Sequence, residues 1–241
     1  MNDCDITYAI PCRNYVKECN ALCQIILLET GSRILIIDDC SDLPNDQYLN
    51  DHRISIIKNC VKQGIVSSWN QLVENAETEY IVICTHKIRP RAVDFSQMKH
   101  LLEQKYALVA LYSFGFFGFS KHLFSVISPF DNGFTDSNFE DDDTYNELFA
   151  HNLAFYCSLE TPYINSGTTW KQGWYPNKTY YDSKWITNGN ELIQLRSKVN
   201  ESDAVKYSKF KTIDYMPFEK SVIRCDWLKK YNHMKYCDRR P

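Results

Sequence analysis

Four consecutive carboxylic acids, Glu140, Asp141, Asp142 and Asp143, are the residues of this chain best suited to chemistry. Carboxylates this close repel one another, which raises the pKa of at least one of them toward neutral pH, where it can act as a base. The Phe- and Gly-rich stretch before them is suited to the walls of a site. Apolar residues at roughly helical spacing follow over 144–157, so the acids are predicted to occupy the first turn of a helix.

The same acids also have a purely structural interpretation. Acidic side chains complement the helix dipole at an N-terminus, and Ser137 or Asn138 could cap that turn. One or two acids would suffice for that purpose, whereas four in a row beside an aromatic stretch favour a functional role. The residues alone support the two interpretations about equally.

Two further polar clusters follow apolar runs of strand length. Asp38 and Asp39 end one such run, and a basic Thr-His-Lys-Ile-Arg loop at 85–89 ends another. Open α/β sheets bind ligands beyond the carboxyl ends of their strands, where carboxylates and cations could meet a nucleotide and its phosphates. Each cluster also has a simpler explanation, since the acids could start a turn before Pro44 and the basic loop could be solvated.

The elements that must position these groups alternate between strands and helices. Short apolar runs predict strands at residues 6–11, 33–38, 53–58, 80–84 and 107–112. Apolar residues at helical spacing predict helices at residues 15–28, 66–76, 95–105 and 191–198. The alternation predicts one α/β domain with a mostly parallel central sheet over 1–190, followed by a C-terminal helix and an irregular arm over 191–241 that pack on it. The polar clusters are expected to share the carboxyl edge of that sheet.

Composition excludes several classes of protein. A net charge of −3 with dispersed basic residues gives no electrostatic footprint for nucleic acid. No apolar run approaches the roughly 20 residues that span a bilayer, and no signal peptide is recognisable, so we expect no transmembrane segment. The ten cysteines are scattered through 241 residues rather than arranged as a disulfide framework. Reduced core thiols and a cytoplasmic location are therefore expected.

Four segments together resemble the nucleotide-sugar-dependent glycosyltransferases of the GT-A fold, especially the large family 2. They read ITYAIPCRN, ILIIDDCSD, GIVSSWNQLVENAETEYIVI and FGFSKHLFSVISPFD followed by FEDDD, and they span roughly residues 5–155. The resemblance implies that the loop after the first strand and the acid ending the second strand hold the nucleotide base, here Pro11, Cys12, Arg13 and Asp39. A carboxylate can accept the imide N–H of a uracil ring, which makes this role chemically sensible.

The acidic run is similar to the GGEDDD segment of the β-1,4-galactosyltransferases, which also follows a Gly- and Phe-rich strand and a short helix. The resemblance implies that Asp141 is the catalytic base, that Asp142 binds an acceptor hydroxyl and that Glu140 supports them. The WGWG that precedes those acids is absent here, which leaves the acceptor open. A late aromatic-x-x-Lys-Trp element implies a phosphate contact for Lys184.

The metal motif is the largest departure from the resemblance. Proteins of this fold carry Asp-x-Asp after the fourth strand to hold Mn²⁺ or Mg²⁺ on the donor diphosphate, whereas Thr85, His86 and Lys87 stand here. No cofactor is therefore predicted firmly; Mn²⁺ or Mg²⁺ stays open, with His86 the candidate ligand in this loop. A fixed ammonium or guanidinium can partly replace the charge of a metal ion, which favours Lys87 or Arg89 as the phosphate contact.

The sequence thus predicts an inverting glycosyltransferase that uses a UDP- or GDP-sugar and a hydroxyl of a glycan or glycoconjugate. The alternative is a catalytically inactive module of the same fold that binds nucleotide or carbohydrate. A sugar nucleotidyltransferase is disfavoured, because no Gly-rich basic phosphate loop follows the first strand.

Overall fold

The computed structural model describes residues 1–42, 44, 47–112, 114–127, 129–134, 139–151, 153–157, 177, 180–181, 185–188, 191–194 and 224–225. The helices are α1 (Val16–Glu29), α2 (Ile65–Asn75), α3 (Ala92–Glu103) and α4 (Glu140–Ala150). The strands are β1 (Ile6–Cys12), β2 (Arg33–Asp38), β3 (Ile54–Lys58), β4 (Tyr80–Cys84), β5 (Leu108–Ala110), β6 (Phe116–Ser120), β7 (Phe155–Cys157), β8 (Trp185–Asn188), β9 (Glu191–Gln194) and β10 (Arg224–Cys225). Short 3-10 turns cover Asp3–Asp5 and Lys121–Ser125.

Eight strands form the central sheet in the order β10-β7-β5-β6-β4-β1-β2-β3. All paired neighbours are parallel except at β6, which is antiparallel to both β4 and β5. Strands β1, β2 and β4 are almost continuously buried, which is expected where helices cover both faces of a parallel sheet. The predicted α/β class with a mostly parallel sheet is confirmed.

Alternate residues of the inner strands of the sheet, such as β1 and β4, enter two separate cores. One core contains residues of α2 and α4, and the other contains residues of α1 and α3. In the first core Trp69 packs against Phe114, Phe117 and Phe130 with ring centroids 5.1 to 5.6 Å apart. Truncating a fully buried leucine of this core such as Leu72 would cost about 2 to 5 kcal/mol. The sheet edge that carries the polar clusters therefore stands on a rigid base.

Two predicted helices are wrong in part. The helix predicted over 144–157 ends at Ala150, and Phe155–Cys157 is strand β7, which pairs with β5. Glu191–Gln194 is a strand that pairs antiparallel with Trp185–Asn188, whereas a helix was predicted there. Both segments are short apolar runs whose periodicity fits either structure, so pairing with a neighbouring strand decides between them. The rest of the predicted C-terminal arm lies outside the described residues, apart from β10.

Candidate active site

Of the predicted site residues, those that the structure describes follow or end strands at the carboxyl edge of the sheet or lie on the first turn of α4. Strands β1, β2 and β4 end there at Cys12, Asp38 and Cys84. Strand β6 runs the opposite way and begins there, with Phe116 opposite Cys84. Strand β7 ends there too, since Cys157 pairs with Ala110 of β5. The loops that leave these ends therefore surround one common region.

Helix α4 starts beyond the same edge. The Tyr145 hydroxyl donates a hydrogen bond to Cys157 Sγ at 3.2 Å, and its ring meets Phe114 at 5.2 Å. Both partners lie at the carboxyl edge. Asp141 and Asp142 precede Tyr145 by about one helical turn, which is about 5 Å along the helix axis. The contacts of Tyr145 thus hold the first turns of α4 near the carboxyl edge of the sheet.

The loops after β1 and β2 are joined into one unit by Asn14. Its backbone N–H donates to Ser41 Oγ at 2.8 Å, and its side-chain amide exchanges two hydrogen bonds of 2.9 Å with the backbone N–H and carboxylate of Asp42. Asn14 has a φ of 61°, a left-handed conformation that asparagine tolerates better than most residues. This contact was not predicted from the sequence, although an asparagine in a tight loop could have indicated it.

The Asp39 carboxylate already accepts hydrogen bonds from groups of the protein itself. Its carboxylate accepts hydrogen bonds from the backbone N–H groups of Gln63 and Gly64 at 2.8 and 2.9 Å and from Asn59 Nδ2 at 3.2 Å. Three of roughly four acceptor positions are thus filled. Asp39 fixes the loop that enters α2, and one acceptor position remains for the edge of a base.

Pro11, Cys12 and Arg13 were predicted to lie in the loop after the first strand, but Pro11 and Cys12 are the last residues of β1, and only Arg13 follows it. Pro11 is buried, and Cys12 is only 3% exposed with its thiol in the core beneath the edge. Only backbone groups of these two residues can therefore face a ligand. Arg13 is exposed, so its guanidinium is accessible at the rim.

Two cations of the loop after β4 have different surroundings. The Arg89 guanidinium donates to the carbonyls of its own loop, to His86 O at 2.9 Å and Ile88 O at 2.7 Å. Lys87 is partly buried, its burial lowers its pKa, and it makes no hydrogen bond or ion pair with any described residue. The Lys87 ammonium is therefore the partly desolvated charge that a ligand at this edge could meet.

His86 is a neutral ring in a positively charged loop. It stacks on Tyr15 with centroids 4.4 Å apart and planes at 12°. Burial, followed by the charge of Lys87, lowers the pKa of His86 to about 4. Its buried Nε2 has no hydrogen-bond partner among the described residues. The ring thus contributes one nitrogen ligand at most.

The divalent ion implied by the resemblance does not fit this loop. Lys87 and Arg89 flank the one imidazole, and both repel a cation, while Mg²⁺ requires several oxygen ligands. Within the described ranges no group of three or more His, Cys, Asp and Glu side chains is arranged to hold a metal ion.

Burial dominates the electrostatics of the acids on α4. It raises the pKa of Asp141, although hydrogen bonds from backbone N–H groups oppose the rise. The backbone N–H of Asp142 donates one of these hydrogen bonds to Asp141 Oδ1 at 3.0 Å. Burial, and then repulsion by Asp141, Glu140 and Asp143, raises the pKa of Asp142 well above its ordinary range. Acids that only complemented a helix dipole would have lowered pKa values instead.

Three of the four acids remain accessible. Glu140, Asp141 and Asp142 are partly exposed, whereas Asp143 is buried. A partly exposed carboxylate with a pKa raised by its surroundings is suited to take a proton from a bound hydroxyl. Lys184, the last predicted phosphate contact, lies outside the described residues.

Comparison with known proteins supports the fold. No protein-family model and no curated protein sequence matches the chain. The mannosyltransferase PcManGT of Pyrobaculum calidifontis, solved in complex with GDP-Man and Mn²⁺, aligns with a TM-score of 0.51 and 11% identity over 64% of this chain and 54% of that one. S. aureus TarS 1–349 aligns with a TM-score of 0.53 and 12% identity over 68% of this chain and 59% of that one.

The chain therefore spans less than two thirds of either solved protein. Identities this low establish the fold alone, and the predicted GT-A-like fold is confirmed. Among the helices of the described residues, none is long and apolar enough to cross a membrane.

Proposed function

We propose that this protein is an inverting glycosyltransferase that moves a sugar from a nucleoside-diphosphate sugar to a hydroxyl of a glycan or glycoconjugate. One observation carries the proposal: the helix that begins with the carboxylates packs through Tyr145 on the carboxyl edge of the sheet, and the loop with Lys87 leaves β4 at that edge. Sugar transfer needs a base for the acceptor hydroxyl and a positive charge for the departing diphosphate, and this edge offers both.

The donor occupies the half of the edge formed by β1, β2 and β4. Backbone groups of Pro11 and Cys12 and the open acceptor position of Asp39 bind the base. The exposed Arg13 and the partly buried Lys87 bind the diphosphate, with Arg89 in the same loop as Lys87. Lys184 is the further phosphate contact that the resemblance implies. The GDP-mannose bound by the similarly folded mannosyltransferase supports a nucleotide-sugar donor. Whether the nucleotide is uridine or guanosine is decided by binding measurements.

The acids of α4 act on the acceptor. Asp141 takes the hydroxyl proton while the hydroxyl oxygen forms a bond to the anomeric carbon and the bond from that carbon to the diphosphate oxygen breaks. The bonding electrons leave with the diphosphate, whose charge Lys87 stabilises. Asp142, whose pKa is raised by burial and by the neighbouring acids, binds an acceptor hydroxyl, and Glu140 supports the pair. A single displacement of this kind inverts the anomeric centre.

General-base assistance is worth about 10² to 10⁴ in rate. A fixed charge directed at developing charge is worth about 10² to 10³. The base is Asp141 and the positive charge is Lys87, so a separate substitution can remove each contribution.

A second function, a nucleotide- or carbohydrate-binding module without catalysis, has one specific observation in its favour. The loop after β4 lacks the carboxylate pair that holds a metal ion on the donor in proteins of this fold, with Thr85, His86 and Lys87 in its place. Against this, a binding module has no use for several carboxylates whose pKa values are raised.

Calorimetry with UDP, GDP and their sugars, followed by an assay for release of the free nucleoside diphosphate, separates these functions. A glycosyltransferase binds one nucleotide and releases it slowly from its sugar even to water. Binding without release, with or without added glycan acceptors, would favour the binding module. No binding at millimolar concentration would refute the donor site.

A further inference from the structure

Tyr180 anchors the turn that precedes the acids. Its hydroxyl donates to Asp131 Oδ2 at 2.9 Å, and its ring meets Phe134 edge to face at 5.0 Å. The ring also lies directly on the backbone of Gly133, where a Cβ atom would overlap it. Tyr180 therefore holds the chain just before the segment that leads into α4.

The next residue, Tyr181, holds the other side of that segment. Its hydroxyl accepts a hydrogen bond from the side-chain amide of Asn146, on the second turn of α4. Its ring packs on Phe139 with centroids 5.4 Å apart. Phe139 has a φ of 70°, a left-handed conformation that costs about 1 to 2 kcal/mol for such a residue and persists only when neighbours hold it.

We propose that Tyr180 and Tyr181 are positioning residues that fix the first turn of α4, and with it the acids, against the carboxyl edge. The proposal rests on the proposed function, in which those acids bind and activate the acceptor. Two adjacent side chains clamp the chain on both sides of the acids, at 131–134 and at 139–146. The clamp comes from a segment more than 20 residues beyond β7, so later chain completes a site that the α/β domain begins.

Positioning of this kind acts on the chemical step. A displacement of about 1 Å at a reacting group can cost up to 10² in rate, because the base must stay within hydrogen-bond reach of the hydroxyl. The loops after β1 and β2 are held by contacts of their own, through Asn14 and Asp39. Loosening the clamp should therefore lower kcat and leave donor binding unchanged.

Two variants and one matched control test the clamp. Tyr181→Phe removes only the hydroxyl that meets Asn146. Gly133→Ala pushes the Tyr180 ring off the turn, at a position whose backbone needs no left-handed conformation. The control is Tyr156→Phe, which removes a tyrosine hydroxyl that accepts an exposed hydrogen bond from Gln97 at 3.5 Å, where the Tyr156 ring packs against the other core.

Hydrogen exchange of the full-length protein is measured first, without substrate. We expect faster exchange of the amides at 141–147 in Tyr181→Phe and Gly133→Ala and no change there in the control. We then expect kcat to fall about 10-fold in both variants with an unchanged KM for the donor. A double mutant with Asn146→Ala should lose no more than Tyr181→Phe alone, because one contact connects the two side chains.

The outcomes separate the clamp from the function. Faster exchange at α4 in a protein that transfers no sugar would support the clamp and refute the proposed function. Normal exchange and normal kcat in an active enzyme would refute the clamp. A kcat loss equal to that of Tyr156→Phe, or a loss confined to donor KM, would also refute it.

Discussion

The two halves of the carboxyl edge are held by different means. On the β1–β4 half, short hydrogen bonds join neighbouring loops, as between Asn14 and Asp42 and between Asp39 and Gly64. On the α4 half, the acids depend on a tyrosine pair from far along the chain and on a strained Phe139. The hydrogen bonds make the first half pre-organised, whereas the second half holds carboxylates whose pKa values burial raises. Under the proposed function, the first half binds the donor and the second activates the acceptor.

Asp141→Asn should have the largest effect, because it removes the base and keeps the shape of the side chain. We expect turnover to fall by about 10² to 10⁴ while nucleotide affinity changes by no more than a few-fold, because the base contacts the acceptor alone. Steady-state kinetics and calorimetry on the same preparation check this. Unchanged turnover would move the base to Glu140 or Asp142. If nucleotide affinity fell as much as turnover, Asp141 would also act on the donor, and the assignment of donor and acceptor to separate halves of the edge would be wrong.

Lys87→Ala should lower kcat/KM by about 10² through loss of charge at the diphosphate. Arg89→Ala should cost less, because its guanidinium already bonds to its own loop. Lys99→Ala is the matched control, since that lysine pairs with Asp3 at 3.4 Å, away from this edge. We also expect the wild-type activity to survive EDTA. Activity that disappears with chelator and returns with Mn²⁺ would refute the role of Lys87.

Much of the fold could be predicted from the sequence, because buried parallel strands have a distinctive composition. The runs that became β1, β2 and β4 are nearly all apolar, and their lengths leave no room for a helix. The pattern failed at Phe155–Cys157 and Glu191–Gln194, where three or four residues fit either period and pairing with another strand decides. For Phe155–Cys157 that partner is β5, which lies far earlier in the chain, so local spacing does not show the pairing.

The site was predictable to the level of elements but not of contacts. The acids do start a helix, and Asp39 does follow β2. The internal use of the Asp39 carboxylate and the inward direction of the Cys12 thiol depend on the packing of several loops. The clamp of Tyr180 and Tyr181 had one signal, the density of aromatic residues in that stretch, which suits stacking on sugars equally well.

Asp39→Ala should weaken nucleotide binding about 10-fold, a moderate effect because the loss is partly indirect. It leaves the N–H groups of Gln63 and Gly64 without their acceptor, which loosens the entry to α2. Asp42→Ala, which breaks the contact with Asn14, is the comparison. If Asp39 acted only on its loop, both variants would weaken UDP or GDP equally in calorimetry; a larger loss for Asp39→Ala indicates a direct contact with the base.

The smallest predicted effect is on stability. It follows from a comparison of two aspartates, each on the first turn of a helix, whose pKa values are shifted in opposite directions. Asp94 lies on the first turn of α3, where burial raises its pKa but hydrogen bonds from Arg91 outweigh burial and leave it lowered. Asp142 lies on the first turn of α4, where its pKa is raised. The carboxylate of Asp94 thus stabilises the fold at pH 7, and this contribution is lost as pH falls through the lowered pKa. For Asp142 the stability changes with pH in the opposite direction.

A folded-state pKa raised above the ordinary 3.8 means that the native protein holds the Asp142 proton more tightly than the unfolded chain does. Stability is therefore lost as pH rises from about 3.8 through the raised pKa. Asp142→Asn, neutral at every pH, should raise Tm by about 2 to 4 °C at pH 7, equivalent to about 1 kcal/mol, and leave it unchanged near pH 3. Asp94→Asn should lower Tm at pH 7. If calorimetric scans show that Asp142→Asn also lowers Tm there, the acids of α4 serve the helix dipole, and the contrast between the two halves of the edge fails.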